Sequence, residues 1–331
     1  MSFAVALHVM GADACVARRG GRLVVVRGGR VEHSAPLVRV ASLVLHGTVG
    51  ITTPALHALL DAEVPVVLLR RDGRALGRLE PPASSHADRR RRQLEASADR
   101  VRCLELARLI VSGKLANQRA LLLRQRRRDE PVRMASERLG ALAARALRAP
   151  DLPGLLGLEG AGGRAYFSAL SAMLPEWCNF LGRDRRGGDL FNAGVNYVSA
   201  LLRERVVSAL AAEGLDPCLS HLHVPTRGRP TLAFDLMENF RPVLVEGSVL
   251  ALLRLGVLGP GDLVFHPEGG RLSDEARRSL VRRFHARLAA PPSTAMPHPR
   301  PSTYGQALED QVHRYVAWLC GRGDYRAFSW R

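Results

Sequence analysis

Pro81-Pro82-Ala83-Ser84-Ser85 separates two hydrophobic periodicities, and a chain that changes period at one point does not fold as a single sheet or a single bundle. Before this stretch the apolar residues come in short β-branched runs between turn residues. Leu23-Val24-Val25-Val26 lies between Gly20-Gly21 and Gly28-Gly29, Val40 to Leu45 forms a second run, and Val64 to Leu69 a third. Arg71-Asp72-Gly73-Arg74 then carries a hairpin-turn signal. Thr53 as N-cap and Pro54 at the first helical position predict one short helix over Ala55 to Leu60. Beyond the Pro/Ser stretch, apolar residues recur three and four apart, at Leu94, Val101, Leu104, Ala107 and Leu109-Ile110. That spacing predicts a helix over 86–125, with more near 130–147, 160–174, 190–213, 230–256, 272–290 and 303–320. The expected fold is α+β: a small N-terminal β-rich domain over 1–80, a linker over 81–86, and a larger all-α-helical domain over 87–331.

The chain is basic, with 48 Lys and Arg against 31 Asp and Glu, a net charge of +17. Residues 86–150 hold 17 basic and 7 acidic residues, so more than half of the excess lies in one stretch. It includes Arg89-Arg90-Arg91-Arg92 and Arg126-Arg127-Arg128. Such a concentration is the electrostatic footprint of a polyphosphate partner, unless it is only a solvated helix face. Lys114 is the single lysine, a bias that genome base composition alone can produce. The 47% of hydrophobic residues is ample for a core. Five cysteines at 15, 103, 178, 218 and 320, with no C-x-x-C, support neither a disulfide framework nor a zinc ribbon. The N-terminus has no basic n-region and no apolar run is long enough to span a bilayer, so a soluble, cytoplasmic protein with no membrane contact is expected.

Chemistry concentrates in the second half. His221 and His223 follow an apolar stretch, and Asp235 and Glu238 stand in Leu232-Ala-Phe-Asp-Leu-Met-Glu238. Glu159 stands alone in Leu155-Leu-Gly-Leu-Glu-Gly160. In a helix begun near Thr231, Asp235 and Glu238 share a face, and an apolar setting demands that something satisfy them. A cation would do so; arginines such as Arg227, Arg229 or Arg241 would serve equally. His221 and His223, two apart, point the same way in an extended segment, and either can be a ligand or a structural histidine. Glu159 can be a ligand or simply favour a helix dipole. Imidazole plus carboxylates suits Mn²⁺ or Mg²⁺, and such an ion can activate a phosphodiester. A metal-dependent enzyme acting on nucleic acid is the first expectation. Gly160-Ala-Gly-Gly163 lacks the strand before it and the Gly-Lys-Ser/Thr after it that a phosphate loop needs.

The order of these segments resembles the CRISPR-associated integrase and endonuclease family, Cas1, over nearly the whole chain. The resemblance includes His46-Gly47-x-Val49, Thr52-Thr53-Pro54-Ala55, Val64-Pro-Val-Val67 and Asp72-Gly73, then Lys114-x-x-Asn117-Gln118. It continues through Gly157-Leu-Glu-Gly160 with Tyr166-Phe167, Asn192-x-x-x-Asn196-Tyr197, Gly214-Leu-Asp-Pro217 to His223, and Gly228-Arg-Pro-x-Leu232. Asp235-Leu-Met-Glu238-x-Phe240-Arg241-Pro242 is its most specific block. By motif, the resemblance implies Glu159, His223 and Glu238 as metal ligands, Asp235 as a further acidic position and Tyr166 as an aromatic one near the site. The chain departs from the family at Arg185-Arg-Gly-Gly188, where a proline-rich turn is common, at Cys218 and His221, and at Glu246 in place of aspartate.

What the resemblance implies is insertion of spacer DNA into a CRISPR array, with a DNA 3′-hydroxyl attacking a phosphodiester under Mg²⁺ or Mn²⁺. It also implies double-stranded DNA, with single-stranded or branched forms, as partner, a homodimer through the β domain, and the small partner protein Cas2. A nuclease or resolvase on branched DNA, or a noncatalytic DNA scaffold, are the alternatives.

Overall fold

Leu23 to Val25 is the buried heart of a strand, as the valines' β-branched side chains suit a pleated surface packed on a core. The computed structural model describes residues 5–73, 75–80, 87–124, 129–224, 226, 228–266, 269–292 and 303–330. It divides into two units, Met1–Ser85 and His86–Arg331. The expected linker over 81–86 lies outside the described residues.

The first unit contains β1 (Val5–Val9), β2 (Ala14–Arg19), β3 (Arg22–Arg27), β4 (Arg30–Pro36), β5 (Val40–His46), β6 (Gly50–Ile51), α1 (Thr53–Asp61), β7 (Val66–Leu69) and β8 (Ala75–Leu79). They form two four-stranded sheets, ordered β4-β3-β2-β6 and β1-β5-β7-β8. β2, β3 and β4 pair antiparallel, whereas β1, β5 and β7 run parallel and β8 returns antiparallel. Val16, Leu23, Val25, Leu43, Leu45, Ala55, Leu59 and Val66 fill one core beneath the sheets and α1. The cap of α1 is Thr52, one residue before the expected Thr53, and its side chain accepts from the Ala55 amide.

The second unit is helical: α2 (Ala87–Ala98), α3 (Arg100–Leu123), α4 (Glu130–Ala146), α5 (Leu152–Ser171), α6 (Leu190–Ala212), α7 (Thr231–Met237), α8 (Gly247–Arg254), α9 (Asp274–Ala289) and α10 (Tyr304–Leu319). The all-helical expectation is corrected in one place, a hairpin of β9 (Leu263–His266) and β10 (Gly269–Leu272). The expected helix over 86–125 is two helices, because the Asp99 carboxylate accepts from the amides of Val101 and Arg102 and starts a new one. Asp151 caps α5 through the Gly154 amide, so this helix begins at Leu152, ahead of the expected 160. The expected helix over 230–256 breaks after Met237 into a turn and one wide, π-type turn at Arg241–Glu246 before α8. Pro242 lacks the amide that a continuous helix would need there. Among the described residues, no helix is long and apolar enough to cross a membrane.

Candidate active site

The broken helix brings the candidate carboxylates to α3. Asn239, just after α7, donates its side-chain amide to the Ile110 carbonyl, and Asn117 donates to the carbonyls of Asn239 and Phe328. Gln311 on α10 donates to the Leu236 carbonyl and accepts from the Phe328 amide. All three amide side chains are fully buried, so these directed bonds lock the 236–240 segment against α3 and the C-terminal residues. Gly113 makes the approach possible, since a Cβ there would lie 2.5 Å from Asn239 Nδ2. Gly162 does the same for α5, where a Cβ would collide with Leu115 of α3. Of the glycine run that might suggest a phosphate loop, Gly162 therefore serves helix packing.

Those two close approaches meet at Lys114. Its Nζ lies 2.6 Å from Glu159 Oε1, on α5, and 2.7 Å from Glu238 Oε2, at the end of α7. Arg241 takes the other Glu238 oxygen at 3.3 Å and reaches Glu246 at 3.2 Å. Glu159 lies in the middle of its helix, so a dipole role at a helix start does not apply. Burial works against the charge on Glu238, but Lys114 and Arg241 outweigh it and hold the carboxyl down at about 2. Burial likewise opposes the charge of Lys114, and Glu238 and Glu159 outweigh it, leaving its pKa raised.

The two histidines separate. His221 turns inward, its Nε2 2.8 Å from the Tyr315 hydroxyl and its ring edge-on to Trp318, and burial lowers its pKa to about 4. His223 is partly open, and its Nδ1 lies 2.6 Å from Asp235 Oδ1. The hydrogen bond to Asp235 raises the His223 pKa against burial, and Asp235, Glu238 and Glu159 add to it through their charge. Asp235, fully buried, also accepts from the amides of His221, Leu222 and His223. It shapes the loop and, by accepting from Nδ1, favours the neutral His223 tautomer whose Nε2 carries no proton. Of the residues singled out in the sequence, Glu159 and Glu238 share one cation and His223 pairs with Asp235.

Tyr166 is fully buried near Glu246 and Arg241, and its hydroxyl has no hydrogen-bond partner among the described residues. Arg183 donates to Asn192 Oδ1 and Asn196 Oδ1, so the asparagines one turn apart on α6 clamp the 183–188 loop. Burial, then the nearby Arg241, lowers the Arg183 pKa to about 10.

The donor chemistry fits a hard divalent ion, with two carboxylates around one positive charge and an imidazole whose Nε2 makes no hydrogen bond among the described residues. The side chains do not form a finished cage: among the described residues, no three of His, Cys, Asp and Glu are arranged to hold a metal. Lys114 and Arg241 take the carboxylate oxygens instead. Lys114 was noted in the sequence, as the single lysine and within a family block, but was given no role at the site. Its signal was its singularity among 48 basic residues.

The arginine run on α2 is largely paired within the chain. Arg89 bonds Glu213, Arg90 the Gly214 carbonyl, and Arg91 and Arg92 both bond Asp88. Arg126-Arg127-Arg128 and Arg227 lie outside the described residues.

A family model described as CRISPR associated protein Cas1 matches residues 7–286. The CRISPR-associated endonuclease Cas1 1 of Thermus thermophilus is 37% identical over 98% of this chain and 99% of its own length. A casposase bound to integration product is similar in structure, with a TM-score of 0.82 at 21% identity over 98% of this chain and 92% of that one. A chain of a Cas6-RT-Cas1–Cas2 complex reaches 0.83 at 24% identity over 99% of this chain and 36% of that one. At these identities the structural likenesses establish the fold.

Proposed function

The chain belongs to the CRISPR-associated Cas1 family, and on that premise we propose that it is a metal-dependent DNA endonuclease and integrase. In this reading it inserts spacer DNA into a CRISPR array by attack of a DNA 3′-hydroxyl on a phosphodiester. The observation that carries the reading is the pair of glutamates, Glu238 buried and Glu159 partly buried, drawn within 2.7 Å of one cation. Both also act through their charge on His223.

Mg²⁺ or Mn²⁺, held by Glu159, Glu238 and His223, would offset charge on the phosphate oxygens and activate the attacking hydroxyl. The chain's own residues prepare that site. Asp235 keeps the proton of His223 on Nδ1 and leaves Nε2 as the donor. Arg241 steadies Glu238 from the side away from Lys114 and keeps it ionised. The domain division over 1–80 and 87–331 fits a β-rich dimerisation part and a helical catalytic part. The basic 86–150 stretch would track the phosphate backbone of double-stranded, single-stranded or branched DNA without reading its sequence. The named likeness to a Cas1–Cas2 complex supports Cas2 as partner; in the proposed assembly two homodimers of this chain flank a Cas2 dimer.

The test is strand transfer of oligonucleotides with free 3′-hydroxyls into a supercoiled plasmid, in Mg²⁺ and in Mn²⁺, with and without Cas2. Covalent joint products are expected, and Glu159→Ala, His223→Ala or Glu238→Ala should abolish them while DNA binding survives. Wild-type rates in any of the three would remove that residue from the site. Nicked plasmid without joint molecules would reduce the activity to simple cleavage.

A further inference from the structure

Lys114 is the single lysine in a chain that otherwise uses arginine for every basic side chain, 48 in all. Among the described residues, its ammonium bridges two carboxylates from different helices, one buried and one partly buried. Its side chain is 17% exposed, and those of Glu159 and Glu238 are 15% and 7% exposed. Two carboxylates so close repel unless a cation stands between them. Arg241 does not fill that role, because its guanidinium is divided between Glu238 and Glu246 and leaves Glu159 to Lys114 among the described residues.

The chemistry of the two basic side chains explains why a lysine stands here. A guanidinium grips a carboxylate as a rigid planar fork and suits permanent pairing. An ammonium is a compact point charge on a four-carbon stem that can swing away. Nothing directed beyond the two carboxylates holds Nζ among the described residues. A divalent ion entering between Glu159 and Glu238 would bring two charges where the ammonium brings one. The helices need not move, since Gly113 and Gly162 already set their approach.

Resting on the metal reading above, we infer that Lys114 is an exchangeable internal cation: its ammonium holds Glu159 and Glu238 together in the metal-free chain and is expelled when a divalent ion enters. The carboxylates thus stay assembled and ionised before loading, and the ion binds against an internal competitor. Affinity is reduced by the fraction of chains in which the ammonium has left.

A single lysine gives a direct assay. The full wild-type chain is treated with an amine-acylating reagent in EDTA and in saturating Mn²⁺, and acylation of Lys114 is followed by mass spectrometry. Mn²⁺ binding is measured in parallel by calorimetry. Lys114 should be protected in EDTA and acylated about tenfold faster with Mn²⁺, as expected if the ion shifts the exchange by that factor. Lys114→Met should bind Mn²⁺ about tenfold more tightly than wild type. If that variant does not fold without metal, Lys114→Gln, which keeps a hydrogen-bond donor without the charge, makes the same comparison. Mn²⁺ binding to the wild type with no gain in acylation, or equal or weaker binding to the uncharged variants, overturns this inference and leaves the metal reading standing. No Mn²⁺ binding to either the wild type or the variants overturns both.

Discussion

Two of the charge clusters in the helical unit pair carboxylates with basic side chains at nearly the same distances but in different surroundings. On α2, Arg91 and Arg92 each lie 2.8 Å from Asp88, and Arg91 lies 2.8 Å from Glu95, on side chains between 41% and 62% exposed. Around Lys114 the separations are 2.6 to 3.3 Å, but the side chains are only 3% to 21% exposed. Water and salt screen the first cluster, so each of its arginines can trade a carboxylate for a phosphate at little cost. In the second, water offers little replacement for a partner, and each charge holds the others in place. Pairing distance therefore says little about what a charge is free to do; the surrounding dielectric decides it. The exposed arginines are available to an incoming nucleic acid, and the buried groups only to what enters between them.

The sharpest way to break this contrast is Glu238→Ala. It leaves Lys114 with Glu159 alone and Arg241 with Glu246 alone in a poorly solvated site, and breaking a buried pair typically costs about 3–5 kcal/mol. Urea denaturation read on the helical signal should show that loss, together with loss of strand transfer. A change below about 1 kcal/mol would put the cluster in the same class as the exposed pairs on α2. The pH dependence carries the same sign. Because the Glu238 pKa is depressed to about 2, its contribution is present above the ordinary value of 4.5 and is lost as the pH falls toward 2.

Asp235→Asn comes next. Asp235 accepts three backbone amides and His223 Nδ1, and the asparagine keeps only one acceptor oxygen. Unsatisfied buried donors of this kind cost about 1–3 kcal/mol each. The more telling readout is the pH profile. The hydrogen bond to Asp235 raises the pKa of His223 above its ordinary 6.5, so this pair stabilises the fold fully below 6.5 and less as the pH rises through the raised value. On the proposed metal reading, strand transfer would need Nε2 without its proton and should run the opposite way, rising through that same raised value. In Asp235→Asn the rising limb should move to lower pH. A limb that stays in place would mean that Asp235 shapes the loop without tuning the imidazole.

The same division between local and long-range effects governs what could be read from the sequence. The strands around Leu23–Val26 and Val40–Leu45 and the helix after Thr52 announce themselves by β-branched runs and a capping pair, which act within a few residues. β4, whose first four residues are exposed, has no apolar run to reveal it. The break after Met237 is hidden because apolar residues continue on both sides of it, Leu232 to Met237 before and Val243 to Val245 after; it depends on Pro242 and on Asn239 bonding Ile110, 129 residues earlier. Glu159, His223 and Glu238 are legible by motif. The binding of the two glutamates to Lys114, across 45 residues for Glu159, arises only when α3 and α5 pack. Local signals mark the candidate residues, but the counter-charge that gathers the two glutamates is a product of tertiary structure.

The mildest effect falls on α2 and divides its arginine run. Arg89 bonds both the side chain and the carbonyl of Glu213, and Arg90 bonds the Gly214 carbonyl, so these two fasten α2 to the end of α6. Arg91 and Arg92 bond Asp88 and Glu95 on their own helix. Arg91→Ala and Arg92→Ala should leave the melting temperature unchanged. Each should lower DNA affinity and reduce the slope of log affinity against log salt by about 0.9 for every phosphate that the arginine would have neutralised. Arg89→Ala and Arg90→Ala should do the reverse, lowering the melting temperature with the salt slope intact. The same reduction in slope at all four positions would mean that internal pairing does not govern which arginines reach DNA, and that α2 is one uniform basic track.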